Sequence, residues 1–241
     1  YENESKGPVT LKLGNVTAST VTFFGTLDVD QLGDYDMDDG GVGFIYTTTD
    51  ETLNVSRAKK VKITTVGSNN EFSFTYTGLP YDTRYHYTVF LYKNGICQYG
   101  STQYFKTEDV NINVDEVTTG TSWSTFKGTT SLLWADRSAI NVGIQYSKYD
   151  SFSSTTTINL SDSTETFEYK REGLAYATKY YYRTYIKQNS SYKYGNAQEF
   201  TTQPISVSIG VDNLTQTTAT FSGNIDLAGG TRWQNLSLNS M

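Results

Sequence analysis

The sequence predicts an all-β protein built of tandem antiparallel β-sandwiches, and three observations carry that expectation. A thirty-residue stretch occurs twice, at residues 78–107 and 173–202, and the copies share 12 of 30 residues without a gap. A repeat spacing near one hundred residues in a chain of 241 makes two ordinary domains rather than one large one. The composition is rich in strand formers, with 20 Tyr and 12 Phe against only 3 Pro, and no long apolar pattern of period 3.6 runs through it.

Each copy opens on a Gly-Leu turn, Gly78-Leu79 and Gly173-Leu174. A strand with one buried face follows, carrying Tyr85, Tyr87, Val89 and Leu91 in the first copy and Tyr180, Tyr182, Thr184 and Ile186 in the second. A short polar loop leads into a last strand that ends Phe-x-Thr at Phe105 and Phe200. The Leu-x-x-x-Thr-x-Tyr spacing puts Tyr85 and Tyr180 where a hydroxyl reaches back to the turn's backbone. That is the tyrosine corner of immunoglobulin-like sandwiches, a structural role.

Upstream, residues 1–8 read as a loose polar lead-in, and alternation begins at Val9. A Thr-Phe-x-Gly signature then occurs three times, at Thr22, Thr125 and Thr220. Val-Gly-x-x-Tyr follows the first two, at Val42 and Val142, with Val, Phe44 or Ile144, and Tyr directed inward. Residues 59–66 and 155–160 read as short edge strands, and Thr48-x-x-Glu51 fits a capping box for one helical turn near residues 53–58. The expected domains are residues 1–109 and 110–203, each a complete sandwich, and 204–241, a partial third repeat. That third part is either truncated, packed on its neighbour or paired with another chain. The joins are a few residues each, too short for flexible tethers, so the expected array is a rod with limited bending.

Charge and rare residues exclude several functions. The net charge of −6, nearly all of it within residues 1–109, argues against nucleic acid and anionic membrane surfaces, which need clustered Lys and Arg. No apolar run is long enough for membrane insertion, and with no initiator Met or signal-like start the chain reads as mature or trimmed. Cys97 is the single cysteine and His86 the single histidine, so neither an intrachain disulfide nor a His or Cys metal cage is expected. Without a Gly-x-Ser-x-Gly elbow or a phosphate loop, no catalytic residues are assigned and the chain is read as no enzyme.

Thr-Phe-x-Gly, Val-Gly-x-x-Tyr, Gly-Leu-x-x-x-Thr-x-Tyr-x-Tyr and Tyr-Gly-x-x-x-x-Phe-x-Thr occur in that order. In this the chain resembles the fibronectin type III-like tandem-repeat surface proteins, the cell-adhesion proteins and lipoproteins, of Bacteroides-type bacteria. The resemblance covers residues 9–203 and, in part, 206–227. It implies export to the extracellular space or outer cell surface and an adhesion or spacer role, with a cell-surface protein or glycan as partner. The alternative it allows is an accessory glycan-binding module of a polysaccharide-utilisation system.

Two candidate sites stand out. In the loop of residues 33–41, Asp34, Asp36, Asp38 and Asp39 between glycines are either a calcium loop or a solvated acidic turn. The EF-hand register would want Gly at Asp39 and Glu at Ile45, and no other cofactor is expected. The second candidate is the outward face of the first unit, where the strand period puts Ile45, Phe90, Tyr92 and Tyr104 as flat contact area for a protein or sugar. Trp134 is expected to pack against the first unit rather than to hold a ligand.

Overall fold

The computed structural model describes residues 4–38, 40–48 and 52–226. It is all-β, as predicted, and divides into two compact units. The first comprises Tyr1–Val110 with Leu132–Asn141 and Gln188–Ser190; the second comprises Asn111–Ser131, Val142–Lys187 and Ser191–Met241. Among the described residues no helix is long and apolar enough to cross a membrane.

The first unit contains β1 (Glu4–Lys6), β2 (Val9–Val16), β3 (Thr20–Leu27), β4 (Val42–Tyr46), β5 (Lys59–Lys62), β6 (Glu71–Thr77), β7 (Arg84–Lys93), β8 (Ile96–Tyr99) and β9 (Gln103–Lys106). One antiparallel sheet runs β1-β2-β3-β6; the other runs β5-β4-β7-β8, with β9 also paired to β7. Alternation sends Val9 and Leu11 of β2, Val21 and Phe23 of β3, and Tyr85 and Tyr87 of β7 into one core, each no more than 1% exposed. Phe23 lies at its centre, its ring 4.8 Å from Phe44 and 5.3 Å from Tyr87. The turn after Asn54 is a single hydrogen-bonded loop, with the amides of Arg57 and Ala58 on the Asn54 carbonyl, and it does not continue into a helix. Glu51 of the expected capping box lies outside the described residues.

The second unit repeats the plan with β10 (Ile112–Thr119), β11 (Trp123–Thr130), β12 (Ile140–Ser147), β13 (Thr156–Asn159), β14 (Thr166–Glu172), β15 (Lys179–Gln188), β16 (Ser191–Tyr194) and β17 (Gln198–Thr201). Its sheets are β10-β11-β14 and β13-β12-β15-β16, with β17 on β15. Phe126 takes the place of Phe23, 5.4 Å from Tyr182 and 5.5 Å from Phe200.

The repeated glycines have a steric cause. A Cβ at Gly25 would run into the Thr10 carbonyl and the Phe72 ring; at Gly128 it would meet the Asn113 carbonyl and Phe167. The Val-Gly glycines are equally hemmed in, Gly43 by the Val61 carbonyl and Phe90, and Gly143 by the Ile158 carbonyl and Tyr185. In both motifs the glycine lets an aromatic ring of a neighbouring strand approach bare backbone.

The third Thr-Phe-x-Gly lies in a hairpin of β18 (Ser206–Asp212) and β19 (Thr220–Asp226). Its pairing of Ile209 with Gly223 repeats those of Leu11 with Gly25 and Val114 with Gly128. Phe221 is 65% exposed, whereas Phe23 and Phe126 are wholly buried.

Candidate binding surfaces

The acidic loop is held by Asp36. Its amide donates to the Tyr92 carbonyl (2.8 Å), its carbonyl accepts from the amides of Gly40 and Gly41, and its carboxylate accepts from the Gly95 amide (2.9 Å). This carboxylate therefore ties the loop to the β7–β8 turn, while Asp34 and Asp38 face solvent. Asp39 lies outside the described residues, and among those described no three His, Cys, Asp or Glu side chains gather as a metal centre would require. Asp28, which the sequence did not single out, caps the 3-10 turn Val29–Asp34 through the Asp30 amide (3.1 Å).

On the outward face of the same unit, the expected exposure of Ile45 and Phe90 is corrected: they are 3% and 0% exposed. The strand period does turn them outward, but Phe90 lies on Gly43, and the Lys60 ammonium sits over its ring at 4.2 Å. Ile45 is flanked in register by Lys60 and Thr88. Tyr92 is half-buried against Gly40, and Tyr104 is exposed beneath the Arg84 guanidinium, 5.0 Å from its ring. The four residues thus do not form one open platform.

Trp134 differs from expectation as well. It is 76% exposed, with Arg137 over its ring at 4.4 Å. Within the first unit the buried member of that segment is Asp136, wholly enclosed. It accepts from the Thr17 hydroxyl (2.5 Å), the Ser19 amide (2.8 Å) and the Ser19 hydroxyl (2.7 Å). Those bonds satisfy a charge that burial alone would make costly. An isolated loop aspartate carries no sequence pattern that announces this.

The second unit's outward face carries a stacked arrangement that sequence reasoning missed. Arg183 of β15 lies between two rings, 3.6 Å from the centre of Tyr194 and 4.2 Å from that of Phe152, and its Nη2 donates to the Gln145 side-chain carbonyl (3.0 Å). Tyr192 and Tyr194, alternate residues of β16, lie nearly parallel with centres 5.6 Å apart; Tyr185 and the Lys187 ammonium approach Tyr192 at 5.9 and 5.2 Å. Phe152 is held at φ 54°, a left-handed conformation that costs a bulky residue about 1–3 kcal/mol. Tyr185 is buried on Gly143, and burial, with a smaller contribution from Tyr192, raises its phenol above the ordinary value. Tyr192 and Tyr194 remain 44% and 41% exposed. The Tyr-x-Tyr of β16 was the available signal, since a period of two places both rings on one face.

No protein-family model matches the chain, and no curated protein matches it. Among solved structures the chain is similar to the FN1–FN3 domains of chicken CNTN1, at 14% identity over 83% of this chain and 68% of that one, with a TM-score of 0.30. It is also similar to a two-domain fibronectin type III segment of chicken tenascin, at 13% identity over 83% of this chain and 100% of that one, with a TM-score of 0.30.

Proposed function

We propose that the protein is an exported, non-enzymatic adhesion or spacer protein that presents a protein- or glycan-binding surface at the extracellular or outer cell face. The observation that carries this reading is the ladder Phe152–Arg183–Tyr194–Tyr192 on the second unit. The exposed parts of the nearly parallel Tyr192 and Tyr194 rings supply apolar contact area at low entropic cost, and the Lys187 ammonium beside Tyr192 supplies a polar partner. Such a face suits the C–H side of a sugar ring or the side chains of a partner protein. Tandem sandwiches of one repeated plan also suit a spacer role.

The alternative, an accessory glycan-binding module of a polysaccharide-utilisation system, uses the same rings. Probing a glycan array and a panel of immobilised host surface proteins with the full chain separates the two. Adhesion to proteins or cell-surface glycans supports the first reading. Binding confined to soluble storage or plant-wall polysaccharides moves the function to the second, and binding to neither removes the surface from both.

A further inference from the structure

The two units differ at one sheet edge. In the first, β1 lies along the outer edge of β2, pairing Glu4 with Leu11, Ser5 with Thr10 and Lys6 with Val9, and it packs against β7. In the second, β10 is the counterpart of β2, with Ile112 opposite Thr130 and Val114 opposite Gly128 as Val9 is opposite Leu27 and Leu11 opposite Gly25. Among the described residues β10 has one strand neighbour, β11, and its other edge carries no counterpart of β1.

That edge opens on a groove of about 360 Å³ within the second unit. Residues 111–114 form one wall, Lys193, Tyr194 and Gly195 the other, and Tyr182, Thr184 and Ile186 the floor. Asn111 is bonded toward β11, its carbonyl accepting from the Ser131 amide (3.0 Å) and its amide donating to the Ser131 hydroxyl (2.9 Å). Antiparallel pairing alternates, so the amides and carbonyls of Ile112 and Val114 turn the opposite way, into the groove. The matching groups of Val9 and Leu11 are those that β1 faces in the first unit. Residues 111–114 read Asn-Ile-Asn-Val and contain neither the Pro nor the Lys that commonly blunts an edge.

We propose that this groove docks an extended polypeptide strand of a partner protein, which adds to residues 112–114 as β1 adds to residues 9–11. A strand fits better than a sugar because two rungs of backbone pairing are presented at strand spacing. The buried Ile112, Tyr182 and Ile186 suit an apolar side chain pointing inward at alternate positions, and Asn113 and Gln198 border the polar side. The inference rests on reading the chain as a binding protein and assigns that reading a partner chemistry at a second place, the sheet edge.

The test titrates the isotope-labelled full chain with the peptide Thr-Ile-Thr-Ile-Thr-Ile, which carries an apolar side chain at every second position and is no segment of this chain, and follows backbone amide resonances. Expected are saturable shifts at residues 111–114 and 193–195 with residues 9–11 unmoved. At least tenfold weaker binding is expected of the peptide N-methylated at alternate residues, and of Val114→Pro, which removes a groove-facing amide. Absence of shifts at millimolar peptide, equal binding of the N-methylated peptide, or shifts produced by oligosaccharides in place of the peptide would overturn the proposal. Protection of the same amides through self-association would equally overturn it, because a second copy would then be the occupant. Tyr194 borders both places, whereas the amides of residues 111–114 belong to the groove alone and Tyr192 to the ladder alone, so failure at one is read apart from failure at the other.

Discussion

The Tyr85 hydroxyl donates to the carbonyl oxygen of Pro80, 3.1 Å away, whereas at the same place in the second unit the Tyr180 hydroxyl accepts from the Ala175 amide at 2.9 Å. Proline has no amide hydrogen, so in the first unit only the carbonyl is open to the phenol. In both units the carbonyl at that place accepts from the threonine that follows the last strand, Thr107 onto Pro80 (2.7 Å) and Thr202 onto Ala175 (2.6 Å).

From this an asymmetry is expected. Tyr85→Phe leaves the Pro80 carbonyl still bonded to Thr107 and should cost about 1 kcal/mol. Tyr180→Phe strips the Ala175 amide of its acceptor and should cost about 2 kcal/mol, since an orphaned donor loses more than a bond is worth. Denaturant melts of the two variants check it; an equal or reversed order would contradict the assignment of donor and acceptor.

The motif glycines should be intolerant of a single methyl group. Gly43→Ala drives a Cβ into the Val61 carbonyl and the Phe90 ring, and Gly143→Ala into the Ile158 carbonyl and Tyr185. Each should cost about 3 kcal/mol. Gly33→Ala, with nothing within 4 Å of the added carbon, should stay within about 0.5 kcal/mol of the parent. Thermal unfolding of the three variants reads this directly.

Alkaline behaviour follows from the buried phenols. Burial raises Tyr182 and Tyr185, and Tyr46 in the first unit, with Tyr76 adding to the last. A raised folded value means the folded chain holds its proton where the unfolded chain has lost it. The stabilisation is therefore complete below the unfolded tyrosine value of about 10 and declines as pH rises above it. Stability should stay flat for these groups from neutral pH to about 9 and then fall as the same phenols ionise in the unfolded chain while the folded chain keeps their protons. Melts at stepped pH check it: a stability that does not decline above about pH 10 would contradict the raised phenols.

Much of the fold was legible because period-two alternation and repeated turns are local signals. The inward Tyr85, Tyr87, Val89 and Leu91 were read from spacing alone, and all are buried. The binding face was less so. Outward direction was right for Ile45 and Phe90, but exposure depends on what crosses from the adjoining strand, and the Lys60 ammonium over Phe90 is set by a strand pairing that spacing does not reveal. Gly43 was the overlooked hint, since an outward glycine opposite an aromatic makes a slot for the ring. The ladder escaped for a related reason: Phe152, Arg183 and Tyr194 come from a turn and two strands, and only the register brings them within stacking distance.

The proposed binding surface is the ladder on the second unit. Its most direct test measures binding of the full chain to its protein or glycan surface before and after Tyr192→Ser with Tyr194→Ser, with circular dichroism and melting temperature as the check on folding. Binding is expected to fall at least tenfold while the fold persists, because both side chains are exposed and each contributes contact area rather than core. Undiminished binding by a folded double variant would contradict it.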